Sequence, residues 1–311
     1  MFRAQRSRAV LAAFCAVSMS SLLLIAPVGA GTVVKPGTSS QVASAVKSAA
    51  SLTKLSKATI AALPTAARDS FVSMDAESTC LVALSCAYGK TSSKKTAVVF
   101  GDSHAVMWMP AVLPQLLKSG YRVTLVWYGA CPAAQVDVYL PKWDYPAVCN
   151  SVRTSELASI VNLHPSLVLL AERDHSVPSA PGTTFSASAW TLALESTIRS
   201  LQGAGSKVGV IEDGPSFPWS IPNCLSRSPS LAKACGVPSA SGQATVMHAA
   251  ELAAATHTGA FFIPTQKWLC GTVCSPVIQS MVVYTDNDHL TKTFAAYLSG
   301  VMGSSLGAFL H

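Results

Sequence analysis

The chain has 311 residues, half of them hydrophobic and only 12% charged, with a formal net charge of +7. That gives one large domain or two small ones ample material for a full core. No Lys/Arg cluster with interleaved aromatics occurs, which argues against nucleic acid as a partner.

Arg3, Arg6 and Arg8 open the chain, followed by the apolar stretches Ala9 to Ala16 and Leu22 to Ile25 and then by Pro27-Val28-Gly29-Ala30. A basic start, an apolar run and a small-residue site read as an export signal over residues 1–30. An uncleaved membrane anchor is the alternative, because the apolar stretch is nearly long enough to span. Loss of the three arginines lowers the charge from +7 to +4. Without Cys15, eight cysteines remain, and an even set in an exported chain reads as disulfides. Proximity suggests the pairs Cys80 with Cys86, Cys131 with Cys149, Cys224 with Cys235, and Cys270 with Cys274. Zinc at Cys270 and Cys274 is disfavoured, since no second pair with ligand spacing follows.

Residues 31–79 form an N-terminal arm or linker rich in Ala, Ser, Thr and Lys, with weak helical period from Val42 to Leu63 and a stop at Pro64. From Lys95 onward a regular alternation begins. Short apolar runs predict strands at Ala97–Phe100, Val123–Trp127, Leu167–Ala171, Val208–Ile211 and Ala260–Ile263. Helical patterns lie between them at about 104–119, 150–163, 186–203 and 243–257, with a last one at about 291–309. Strands alternating with helices imply crossover units and a mostly parallel sheet covered on both faces. The expected domain spans 80–311 as a three-layer α/β/α sandwich of flavodoxin-like type with about five strands. Reacting groups gather at the carboxyl ends of such strands, where Ser103, Gly129, Glu172 and Asp213 fall. Long loops at 131–149, with Trp143 and Tyr145, at 213–242 and at 264–283 are positioned to shape a substrate site.

Gly101-Asp102-Ser103-His104 sits where a strand turns abruptly into a helix. Glycine permits the turn, and the helix N-terminus offers N–H groups to a developing negative charge. A serine placed there needs a base, and the base an orienting carboxylate. Among the seven histidines, His311 is terminal, His164 precedes a strand, His248 and His257 belong to a helix, and His175 follows the third strand. His289 lies just before the last helix with Asp286 three residues upstream. An Asp-x-x-His loop folds back so that the carboxylate meets one ring nitrogen while the other faces the serine. Asp288, being adjacent, is expected to point elsewhere.

Gly101-Asp102-Ser103-His104 near the start of the domain and Asp286-Asn287-Asp288-His289 near its end resemble the SGNH (GDSL-like) hydrolases. More narrowly, the chain resembles the extracytoplasmic SGNH domain fused to membrane acyltransferases that O-acetylate envelope polysaccharides. Cys86-Ala87-Tyr88-Gly89, Gly129-Ala130-Cys131-Pro132, Asp213-Gly214-Pro215, Pro222-Asn223-Cys224-Leu225 and Trp268-Leu269-Cys270 carry that likeness in order. The resemblance implies Ser103 as nucleophile, His289 as base, Asp286 as orienter, and the N–H groups of Ser103 and Gly129 as an oxyanion hole. The asparagine that such enzymes place after the third strand is missing from Leu170-Ala171-Glu172-Arg173-Asp174-His175. Arg173 is the candidate substitute donor, or else pairs with Glu172 or Asp174.

The expectation is a secreted or cell-envelope serine esterase or O-acyltransferase. It removes or transfers an acyl group, acetyl by resemblance, on an envelope glycan or small ester, with no cofactor or metal. Its acyl group comes through a separate membrane donor protein if it transfers. A non-catalytic glycan-binding or assembly module on the same scaffold is the alternative.

Overall fold

The structure, a computed structural model, describes residues 34–71, 85–140, 145–175, 177–239 and 242–310. The expected export signal, Cys80 and Trp143 lie outside the described residues.

Six strands form the central sheet: β1 (Ser85–Tyr88), β2 (Lys95–Gly101), β3 (Tyr121–Trp127), β4 (Leu167–Ala171), β5 (Lys207–Ile211) and β6 (Phe261–Ile263). Their spatial order is β1-β3-β2-β4-β5-β6, with every pair parallel except β1 against β3. Leaving out β1, this is the flavodoxin-like order. The sixth strand escaped the sequence reading because Ser85-Cys86-Ala87-Tyr88 has no apolar run. Among the described residues it pairs with one strand, β3, at the sheet edge.

The two-residue period of the strands divides the core in two. Val98, Phe100, Val168, Leu170 and Val210 enter one buried cluster, while Ala97, Val99, Leu167, Leu169 and Ile211 enter the other. The first cluster is covered by α4 (Tyr145–Leu163), α5 (Ala187–Gly203) and α7 (Gly242–Thr258). The second is covered by α3 (Ser103–Lys118), α9 (Lys292–Tyr297) and α10 (Ser299–Gly307). A three-layer α/β/α sandwich results.

The loops carry three of the expected bridges, Cys131–Cys149, Cys224–Cys235 and Cys270–Cys274. Cys86 is also disulfide-bonded.

The arm carries two helices. α1 (Ser39–Ala49) packs against α8 (Gln266–Leu269), and α2 (Lys57–Ala66) against α6 (Ile221–Arg227). α2 continues through Pro64 to Ala66 instead of stopping there. The single helix expected over 291–309 is divided at Leu298, where the Tyr297 carbonyl accepts from Gly37 N–H at 2.8 Å. Gly300 is needed at this crossing, since a Cβ there would stand 2.4 Å from the Gly37 carbonyl oxygen. Among the described residues no helix is long and apolar enough to cross a membrane.

Candidate active site

Parallel strands bring their carboxyl ends to one edge, and the site is built there. β2 ends at Gly101, where an added Cβ would lie 1.9 Å from the Ala171 carbonyl oxygen at the end of β4. Only glycine allows that approach. Asp102 then caps α3, its carboxylate accepting from His104 N–H at 2.8 Å and from Arg173 N–H at 3.1 Å. The buried Asp102 thus ties the start of α3 to the segment after β4, and burial raises its pKa. Ser103 is the first residue of the helix.

His289 reaches Ser103 from a tight loop closed by Thr285 N–H donating to the His289 carbonyl at 2.8 Å. Its Nε2 lies 2.7 Å from Ser103 Oγ. The structure therefore brings together Ser103, His289 and Asp286, whose Oδ2 is 2.8 Å from His289 Nδ1. The other Asp286 oxygen accepts from the N–H groups of Asp288 and His289 at 3.0 and 2.9 Å. Those bonds curl the loop back on itself. In consequence Asp288 does not point elsewhere, as adjacency suggested: its Oδ1 is 3.0 Å from the same Nδ1. The Asp288 side chain is 3% exposed against 44% for Asp286, so Asp288 is the better shielded partner.

Burial alone would lower the His289 pKa, but hydrogen bonds and charge from Asp286 and Asp288 outweigh it and raise the ring to about 10. Burial likewise works against ionisation of Asp286, and the His289 contact reverses this, holding the carboxyl well below its usual range. Asp288 is lowered for the same reason. The loop is thus arranged to stabilise an imidazolium.

Arg173 pairs with neither Glu172 nor Asp174. Its Nε lies 3.4 Å from Asp288 Oδ2, which directs the guanidinium to the histidine's support. Gly129 lines the same cleft as Ser103 and His289. Glu172 fixes the loop that follows by accepting from Ala134 N–H at 2.8 Å. Burial raises the Glu172 pKa to about 8, so the carboxyl is largely neutral at pH 7.

Below the site lies a buried network the sequence reading did not assemble. His104 Nδ1 is 2.5 Å from Asp213 Oδ1, and His175 Nδ1 is 2.8 Å from Asp213 Oδ2. Asp213 also accepts from Gly214 N–H at 2.7 Å and from Asp174 N–H at 3.2 Å. Burial opposes its charge, but the two histidines outweigh burial and keep it well below the carboxylate range. The His104 ring meets the His289 ring edge-on, with centroids 4.9 Å apart. The two histidines flank one carboxylate 109 residues from His104, a pairing that only the sheet topology creates. The available clue was Asp213 at a strand end.

Two groups, His104 with Asp288 and His289, and Asp174 with His175 and Asp213, hold possible ligand atoms within 4.8 Å of one another. In the second, His175 bonds both carboxylates; in the first, Asp288 bonds His289 and His104 joins through its edge-on ring contact with His289. The cleft above Ser103 has a volume of about 310 Å³, and Phe71, Met107, Trp127 and Leu290 give it a largely apolar wall. Ser103 Oγ and His289 Nε2, within hydrogen-bond reach of each other, open onto this cleft.

The sequence profile of the family described as "SGNH domain (fused to AT3 domains)" matches residues 73–303. No curated protein matches the chain. Among solved structures, the periplasmic domain of a lipopolysaccharide acetyltransferase from Salmonella ser. Paratyphi A is 18% identical, with a TM-score of 0.52 over 70% of this chain and 84% of that one. A GDSL-like lipase from Bacteroides thetaiotaomicron is 13% identical, with a TM-score of 0.42 over 69% and 89%. A psychrotrophic esterase from Pseudoalteromonas sp. is 11% identical, with a TM-score of 0.40 over 70% and 99%.

Proposed function

The chain belongs to the SGNH family, and from that premise we propose that it is an extracytoplasmic serine esterase or O-acyltransferase acting on an envelope glycan. Family membership assigns it to acyl-ester chemistry in general. The observation that supports serine as the nucleophile is Ser103 Oγ at 2.7 Å from a His289 ring whose other nitrogen faces two carboxylates.

In the proposed reaction Ser103 Oγ attacks the acyl carbonyl carbon while its proton passes to neutral His289 Nε2. Asp286 and Asp288 stabilise the imidazolium so formed. The N–H groups of Ser103 and Gly129 hold the oxyanion. The tetrahedral intermediate expels the alcohol, which takes the proton from His289, and the acyl group stays on Ser103. Water or a sugar hydroxyl then gives its proton to His289 and attacks the acyl carbon. Ser103 leaves and recovers a proton from His289. With the ring's pKa near 10, the base is mostly protonated at pH 7, so rates rise as the solution becomes more alkaline.

A glycan acceptor is favoured by the likeness to the periplasmic domain of a lipopolysaccharide acetyltransferase, and a separate membrane acyl donor is the partner this reading proposes for transfer. The absence of asparagine from residues 170–175 favours a second reading, a glycan-binding module without turnover. Loss of one oxyanion donor typically lowers kcat by about a hundredfold or more. Hydrolysis of a chromogenic ester by wild type and Ser103→Ala separates the two. Turnover lost in the variant supports the enzyme, and equal rates support the binding module.

A further inference from the structure

The cleft beside Ser103 is not formed by the α/β sandwich alone. Ala67, Ser70 and Phe71, all from the arm, line it together with Val106, Met107, Trp127 and Leu290. The arm is fixed there at Asp69, whose carbonyl accepts from Lys292 N–H at 2.6 Å and whose Oδ2 accepts from Thr293 N–H at 3.2 Å. Both donors belong to the first turn of α9, the helix that follows the His289 loop. Phe71 also packs on Tyr88 of β1, with ring centroids 5.9 Å apart. The aromatic side chain of Phe71 thus lines the cleft while packing on the sheet edge, and its segment is tied to the helix that follows the His289 loop.

This wall suits a hydrocarbon. The one polar side-chain atom among Phe71, Val106, Met107, Trp127 and Leu290 is Trp127 Nε1, which is buried away from solvent. The cleft's polar lining is Ser70, Thr285 and Asp286 beside Ser103 and His289; against the five apolar side chains a sugar hydroxyl loses water and gains no partner, whereas each methylene of an acyl chain gains by leaving water. The size agrees. Taking about 30 Å³ of liquid volume per water-sized heavy atom, an acetyl group with its oxygen fills roughly 90 Å³ and an acyl group of six to eight carbons with its oxygen roughly 210–270 Å³, against about 310 Å³ in the cleft.

We infer that the arm completes an acyl-chain site for linear acyl groups longer than acetyl, and that Phe71 sets their maximum length. The inference rests on the proposed acyl-Ser103 chemistry and names the acyl group that chemistry takes. The sugar acceptor then approaches Ser103 from the open side of the cleft.

The test is a series of p-nitrophenyl esters from two to twelve carbons given to the full chain, with kcat/KM measured for each. Wild type is expected to gain about fourfold per methylene up to six to eight carbons and to fall beyond. Phe71→Ala raises the ratio of ten-carbon to six-carbon turnover about tenfold. Phe71→Trp moves the optimum to shorter chains, so the inference is still tested if the alanine variant fails to fold. A wild-type optimum at acetyl, or an unchanged ten-to-six ratio in the folded variants, overturns the acyl-chain site and leaves the serine chemistry standing. Turnover equal in wild type and Ser103→Ala at every length overturns both.

Discussion

At His289 two carboxylates share one ring nitrogen, Asp286 at 2.8 Å and Asp288 at 3.0 Å. Asp288→Asn removes one negative charge beside the imidazolium, so the ring's pKa falls from about 10. The rising alkaline limb of kcat/KM against pH is therefore predicted to move to lower pH. A limb that stays in place, or moves up, contradicts the shared arrangement. Asp286→Asn removes a charge and also weakens the acceptor that curls the loop, through Asp288 N–H and His289 N–H. Its kcat should fall by roughly a hundredfold or more, measured at the pH optimum of each protein. Asp286 and His289 were legible from their three-residue spacing. Asp288 was not, because adjacency suggests divergence in an extended chain and only the closed 285–289 loop puts both carboxylates on one side. Arg173 was singled out for its cationic head, but its partner lies 115 residues further along the chain.

At the level of elements, the start of α3 is held from below by side chains remote in sequence. His104 and Asp213 have side-chain exposures of 1% and 0%, so neither finds water when the other is removed. His104→Ala should destabilise the fold by about 3 kcal/mol or more, as expected when one partner of a buried pair is deleted. Chemical denaturation of the variant against wild type measures this. A change below about 1 kcal/mol would mean that His175 and the backbone N–H groups suffice for Asp213. The parallel strands were legible because Val98, Val168 and Val208 sit in short, fully apolar runs. β1 was not, since an edge strand with one neighbour needs no such run. The arm was legible in part. The helical period from Val42 to Leu63 marks the face that the fold buries, with Val42, Val46, Leu55 and Leu63 in the second cluster, but periodicity does not say what that face packs on, and backbone bonds such as Gly37 N–H to the Tyr297 carbonyl leave no imprint on it.

For the whole molecule, the buried ionisable groups set opposite pH trends for stability and activity. Burial opposes a charge on His175, yet the Asp213 carboxylate outweighs this and raises its pKa to about 10. His289 is likewise at about 10 and Glu172 at about 8. All three bind protons more tightly folded than unfolded, where His titrates near 6.5 and Glu near 4.3. The two histidines' contribution is complete below about pH 6.5 and is lost as the pH rises through about 10. That of Glu172 is lost between about pH 4.3 and 8. The melting temperature should therefore fall from pH 6 to pH 9 while ester turnover rises. Glu172→Gln, which keeps an acceptor for Ala134 N–H, should flatten the decline between pH 6 and 8. A melting temperature that is flat or rising over that range in wild type contradicts the buried charge states.

Every catalytic expectation here depends on Ser103 carrying the acyl group, and mass spectrometry reads that directly. The full chain is incubated with an activated ester, quenched in acid during turnover and digested. The predicted result is one acyl group on the peptide bearing Ser103, absent in Ser103→Ala and formed far more slowly in His289→Ala, which lacks the base that activates the serine. Turnover with no such adduct in wild type, or with the acyl group on another residue, would contradict the assignment of Ser103 as the nucleophile.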